Sequence, residues 1–431
     1  MPKKSPRAAA VARGGPRWLL AAAMAAAALL GACAAVPGPD TRAERPPSPP
    51  KEALAFDDAV AVLTVALFTR AQPALPASAQ PRPLVVDPLI DRATGNQAAA
   101  TRSMEGRMVA IMRERFPQVE PRPFTLRELD RQPLVLVGSI TTVAGPGVIP
   151  TSTGGPVRTY RIWAALADLR TGKILSHETA WVRPDGVDMT PTPFFRDSPV
   201  WLVDPIQAAY IRVCASDPPQ EIDATYVAAL KSSAAVSDGI KAYEGGRYQE
   251  ALAHYTAARR LPAGDQLRVL NGLYLTNLAL GRDRAAEEAF GRLVDAGLER
   301  GTLAVKLVFR PASTRFWPDP AVSGQYPVWL RQIARRSAAR DACLLVVGHT
   351  SPTGTPAAND ALSERRARVV RAELVRRAPV LQDRTEARGR GAREPLVGTG
   401  RDDATDVLDR RVEFEPRPCG TLRADRPAGH V

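Results

Sequence analysis

Lysine is nearly absent from this chain, with seven positions (3, 4, 51, 173, 231, 241 and 306) against 51 arginines. Histidine and cysteine number four each, and aromatic residues make up 6%. These shortages exclude a good deal. His177, His254, His349 and His430 are far apart, and neither an HExxH nor a paired CxxC occurs, so no metal site is expected. No Gly-x-Ser-x-Gly elbow is present, and "VGTGRDDATD" lacks the lysine and spacing of a phosphate loop. The acidic pairs Asp57/Asp58 and Asp402/Asp403 read as a helix start and a solvated loop. We therefore expect no enzyme and no cofactor. The net charge of +13 comes without a Lys/Arg block or interleaved aromatics, so it reads as arginine-rich composition and not as a nucleic-acid footprint. Beyond residue 30 no run of about 20 apolar residues appears, which leaves no further candidate to span a bilayer.

What is present begins at the N-terminus. Lys3, Lys4, Arg7, Arg13 and Arg17 precede a thirteen-residue apolar run from Trp18 to Leu30. That is short for a membrane span and right for the apolar region of a signal peptide. It ends in Leu30-Gly31-Ala32-Cys33, which resembles the lipobox of bacterial lipoproteins. The resemblance implies cleavage before Cys33, acylation of that cysteine by chains such as palmitate, and export in a Gram-negative envelope. Several acyl chains at roughly 0.8 kcal/mol per buried CH₂ make a stable anchor. Ala34, in place of an aspartate, implies sorting to the outer membrane, with the folded part facing the periplasm. Of the other cysteines, Cys214, Cys343 and Cys419, one disulfide and one free thiol is the expected arithmetic. Cys343 opens a predicted strand and Cys419 follows one, which favours that pair and leaves the alternatives open.

A length of 431 residues predicts two to four domains. Residues 34–52 are proline-rich and aperiodic, a tether of about 50 Å if fully stretched. Residues 53–218 read as an α/β sandwich-like domain. "DDAVAVLTVALFTRA" and "TRSMEGRMVAIMRERF" are amphipathic helices, the second carrying Met104, Met108, Ile111 and Met112 on one side. "PLVVDPLID" and "PLVLVGSITTVA" are strands, a polar loop follows from Gly145 to Pro156, and a hairpin turns at Thr171-Gly172. This order resembles the FlgO and LpoB type of outer-membrane lipoprotein domain. Residues 219–300 are helical. Gly239, Tyr243, Gly246, Tyr248, Ala251, Tyr255, Ala258 and Pro262 sit as in a tetratricopeptide repeat, and Ala286 and Phe290 repeat the idea thirty-five residues on. Two units fall short of the three usually needed to stand alone, so a packed spacer and a peptide-binding groove both remain open.

Residues 301–417 predict strand–helix–strand–helix–strand–strand, and 418–431 a flexible tail. "LAVKLVFRPASTRF" is expected as a strand with a Pro-terminated exit, and Thr355-Pro356 as a helix start. Leu362, Val369, Val370 and Leu374 mark an apolar helix face on which Arg366 also falls, so its permanent charge needs a partner there. "VVGHTSPTG", "LSERRARVV", "ARGRGAREPL" and "DRRVEFE" together resemble the OmpA-like peptidoglycan-binding domain over residues 303–416. The fold class is thus multidomain α/β plus α, with a βαβαββ C-terminal domain. The resemblance implies non-covalent capture of the diaminopimelate stem of peptidoglycan. In it Arg366 holds the ligand carboxylate, and Asn359, Thr350 and Arg411 match further binding positions. Asp409 stands at the usual asparagine. One departure is plain: Ser351 occupies the place of the acid that meets the ligand's ammonium. A neutral hydroxyl bonds an ammonium less strongly than a carboxylate does. Weaker binding, compensation by Asp360 or Asp409, and an altered stem preference all stay open. The implied role is a lipid-anchored link between outer membrane and wall. The alternative is an adaptor that recruits a cell-wall synthase, flagellar or secretion component as its envelope partner.

Overall fold

The computed structural model of the chain describes residues 53–75, 80–144, 158–200, 204–301, 303–395 and 409–420. The charged leader, Cys33, the proline-rich tether, the 145–156 loop, the glycine-containing segment at 397–406 and residues 421–431 lie outside the described residues.

The first helix, α1 (Phe56–Ala71), carries Asp57 and Asp58 in its first turn, where carboxylates complement the helix dipole. Then come β1 (Arg82–Val86), β2 (Ile90–Asp91), α2 (Ala99–Arg115), β3 (Val119–Arg122), α3 (Leu126–Leu129), β4 (Leu134–Ala144), β5 (Arg158–Asp168) and β6 (Lys173–Val182). They build one sheet in the order β3-β1-β4-β5-β6, with β2 also on β4. The β3–β1–β4 part is parallel and β4–β5–β6 is antiparallel, with Gly172 at φ +69° in the last turn. Alternation assigns the faces. Leu134, Leu136, Ile162, Ala164 and Leu166 meet α1 and α2, including Met104, Met108, Ile111 and Met112. Val135, Val137, Trp163, Ala165 and Ala167 meet α5 (Pro205–Cys214) and α6 (Ala224–Glu244), which follow the short α4 (Pro193–Asp197). The arrangement is three layers, helix–sheet–helix.

"PLVVDPLID" is two strands and not the single one expected. Pro88 has no N–H to offer a ladder, so pairing with β4 stops after Val86 and resumes at Ile90. The Tyr210 hydroxyl, from α5, occupies the gap. It accepts from Gly138 N at 3.0 Å and lies 3.0 Å from Gly138 O and 3.2 Å from Pro88 O.

Four helices form two antiparallel hairpins: α6, α7 (Tyr248–Arg260), α8 (Leu267–Ala279) and α9 (Asp283–Arg300). Tyr255 is fully buried between them. A Cβ on Gly239 or Gly272 would fall 2.8 or 2.4 Å from its ring, so both glycines are needed for the ring to fit. Asp204 serves two helix starts: one oxygen accepts from Ile206 N and Gln207 N of α5, and the other from Leu267 N of α8.

The C-terminal domain contains β7 (Leu303–Val305), α10 (Pro320–Ser323), α11 (Tyr326–Ala339), β8 (Cys343–Gly348), α12 (Pro356–Arg377), β9 (Thr385–Gly389) and β10 (Val412–Arg417). Its sheet runs β7-β10-β8-β9, antiparallel except for β8–β9. Here "LAVKLVFRPASTRF" is only three residues of strand. Leu307 N turns back onto Val305 O at 2.8 Å, and the rest folds into a loop closed by a bridge between Phe309 and Phe316. One hydrophobic core runs through the helical hairpins and this domain, from Phe290 of α9 to Trp329 of α11, whose rings stack at 5.6 Å. That continuity explains how two hairpins suffice: their open faces are covered by the next domain. Cys343 and Cys419 are joined by a disulfide, and Cys214 is a buried free thiol. Among the described residues no helix is long and apolar enough to cross a membrane, and no cluster of His, Cys, Asp and Glu could hold a metal ion.

Candidate functional site

The site gathers at the C-terminal end of β8. Six consecutive buried residues deliver the chain to His349, Thr350 and Ser351, all buried themselves. Thr355 then caps α12, accepting from Ala358 N, with Pro356 in the first turn, the start read from the sequence. The buried face of α12 is Asn359, Ser363, Arg366, Ala367, Val370 and Leu374. It is centred further round than the apolar spacing implied, because Leu362 and Val369 are only half-buried. Close approach decides this: a Cβ on Gly348 would stand 2.0 Å from Ser363 O, and one on Gly389 2.4 Å from Ser363 Oγ. Small residues therefore face β8 and β9, and the larger aliphatics move to the flanks.

Arg366 is 1% exposed. Its Nε donates to Ser313 O and its Nη2 to Arg310 O, both at 3.0 Å, and its guanidinium carbon sits 5.1 Å from the Phe309 ring centroid. So partners from this chain hold the guanidinium, from the end of the segment expected as a strand and from its exit after Pro311. Asn359 lies seven residues earlier on the same helix face, roughly 10 Å along the axis. Its Nδ2 donates to Thr353 O at 2.9 Å and pins the loop. Ser351 Oγ is 3.2 Å from Thr353 Oγ1. Thr350 donates its main-chain N–H to Gly391 O, while its buried Oγ1 has no hydrogen-bond partner among the described residues.

Asp409, Arg410 and Arg411 come from the segment entering β10, and all three are buried. His349 N donates to Arg411 O at 3.0 Å, joining that segment to the β8 loop. Arg411 Nε donates to Glu413 Oε1 at 2.6 Å and Nη1 to Glu394 O at 3.1 Å. Burial alone would push the Glu413 carboxyl up. His349, 3.6 Å away, and Arg411 outweigh that and hold it down at about 2. Of the two acids considered as substitutes opposite Ser351, Asp360 is engaged by Arg393 at 2.7 Å, and Asp409 is fully buried. Phe309, Arg410 and Glu413 are site residues that the sequence pattern does not mark. The last two lie inside "DRRVEFE" and were visible as buried charge only once β10 was in place.

The βαβαββ domain with this arginine on its second helix is an OmpA-like domain: residues 328–406 match the OmpA family model. Among solved structures, the chain is similar to the peptidoglycan-associated lipoprotein from Burkholderia pseudomallei. That match has 26% identity and a TM-score of 0.22 and covers 26% of this chain and 88% of that one. It is also similar to the cell wall anchor of the T6SS from Pseudomonas aeruginosa, with 22% identity, 29% and 94% coverage and a TM-score of 0.22. An outer membrane protein from Borrelia burgdorferi B31 matches with 23% identity, 26% and 86% coverage and a TM-score of 0.21. No curated protein matches the chain.

Proposed function

We propose that this protein is a lipid-anchored envelope protein, acylated at Cys33, whose C-terminal domain holds peptidoglycan without covalent chemistry. The observation that carries this reading is a buried polar site inside the residues matched to the OmpA family. There Arg366, Asn359, Thr350 and Ser351 are all buried, and the Thr350 hydroxyl has no hydrogen-bond partner among the described residues. An arginine fork suits a stem carboxylate. In place of a carboxylate, Ser351 offers the ligand's amine a neutral oxygen. The lipid at one end and the wall at the other raise each other's effective concentration when the tether spans the gap.

The test is co-sedimentation of the full chain, carrying Cys33→Ser to keep it free of lipid, with purified sacculi. The wild-type site is expected to pellet, Arg366→Ala to lose at least tenfold in affinity, and Ser351→Asp to tighten binding. Thermal melts distinguish lost binding from lost folding, since Arg366 also ties the 310–313 loop. If the wild-type site stays in the supernatant and Ser351→Asp does not rescue it, the wall-binding reading is wrong.

A further inference from the structure

A cavity lies where the six-stranded domain, the helical hairpins and the C-terminal domain meet, and Arg366 is not among its lining residues. Its volume is about 650 Å³, within the range of small-molecule pockets. The walls are largely apolar and aromatic: Tyr274, Leu275 and Leu278 from α8, Tyr326 and Trp329 from α11. Trp329 Nε1 donates to Tyr274 OH at 2.8 Å, which fixes both rings and turns their faces into a rigid wall.

Into this lining comes one ammonium. Lys306, just past β7, donates to Phe195 O at 2.5 Å and to Arg196 O at 3.3 Å. An ammonium carries three donor protons, so one remains. Among the described residues no carboxylate lies within salt-bridge distance of it. The nearby Asp197 is taken by Arg196 Nε at 2.9 Å and by the Tyr243 hydroxyl at 3.1 Å. Asp91, also in the lining, accepts from Thr94 Oγ1 at 2.7 Å and from Ala93 N at 3.1 Å. A desolvated charge without a counter-ion is costly, and the Lys306 ammonium responds by falling to about 7 under burial. An anion in the cavity would supply what the fold withholds.

We propose that this cavity binds an amphipathic anion, its apolar body against Leu278, Tyr326 and Trp329 and its carboxylate or phosphate head on Lys306. The assignment stands apart from wall binding, since neither Lys306 nor Leu278 belongs to the Arg366 site.

The experiment uses the full chain with 1-anilinonaphthalene-8-sulfonate as a fluorescent reporter and dodecanoate, dodecyl phosphate and dodecanol as competitors. One saturable reporter site is expected, and at least one of the two anions should displace it tenfold or more better than dodecanol. Which anion competes better identifies the head group. Lys306→Gln should erase the advantage over dodecanol, and Leu278→Trp should remove the site. If Leu278→Trp does not fold, Val322→Trp at the exposed rim narrows the mouth with the same readout. The proposal falls if the reporter does not saturate, if dodecanol competes as well as both anions, or if Lys306→Gln leaves the difference intact.

Discussion

At the scale of single residues, this protein spends its buried charge unevenly. Arg366 is a cation lodged under a helix, where two carbonyls and an aromatic face take up the guanidinium. Glu413 is the opposite case: a buried carboxylate kept ionised by Arg411 and His349. Its folded pKa, about 2, lies below the ordinary 4.5. It therefore contributes stability above the ordinary value, and that contribution is lost as pH falls from 4.5 toward 2, roughly 3 kcal/mol over the window. Glu413→Gln should flatten the acid limb of a denaturation-versus-pH profile of the full chain. An unchanged slope would mean the pair is not what holds β10 to the loop. The sequence exposed Arg366 because an arginine on an apolar stripe breaks a pattern. It did not expose Glu413, since a lone glutamate in a strand reads as an ordinary solvent-facing residue.

At the scale of elements, the informative feature is the break between β1 and β2. Residues distant in sequence repair it: Tyr210 fills the ladder, and Tyr226 of α6 donates to Asp87 Oδ2 at 2.8 Å. Burial pushes the Asp87 carboxyl up to about 7, only partly offset by Tyr226. A raised folded pKa has the reverse sign to Glu413. The stability is full below the ordinary value of 3.8 and falls as pH rises toward 7, by roughly 4 kcal/mol in all. Asp87→Asn keeps an acceptor for Tyr226 and removes the ionisation. It should be more stable than the parent at pH 8 and no more stable at pH 4 by urea denaturation; a constant difference between the two would count against this account. Helix starts, the hairpin turn and the methionine stripe of α2 were legible, because each is set by residues within a turn or two. The interrupted strands were not: a proline marks a break without saying what fills it.

At the scale of the whole molecule, the helical hairpins and the C-terminal domain share one core, so the OmpA-like part does not end at its own first strand. The Cys343–Cys419 link closes a 76-residue separation across the domain, from the first residue of β8 to just beyond β10. Loop-closure entropy for that length predicts a contribution of about 4 kcal/mol. Cys419→Ser should lower the guanidinium midpoint accordingly, and a reductant should reproduce the loss in the parent chain. Cys214, fully buried with its thiol pushed well above the usual range, should stay unreactive to thiol reagents until unfolding.

The sequence by itself determined the local order of elements in the C-terminal domain and the arginine at its centre, because capping, periodicity and an out-of-place charge are short-range signals. It also marked Ser351 as a neutral group where an acid was expected. Tertiary structure decided what those signals touch. Only folding brings the 310–313 carbonyls over Arg366, places Glu413 between His349 and Arg411, and leaves Lys306 in a cavity with no carboxylate within salt-bridge distance among the described residues. Apart from Arg411, two residues before Glu413 in the same segment, each of those partners is tens of residues away along the chain from the one it meets. Desolvation, which shifts Asp87 and Lys306 alike, belongs to no single residue: it arises from everything packed around it.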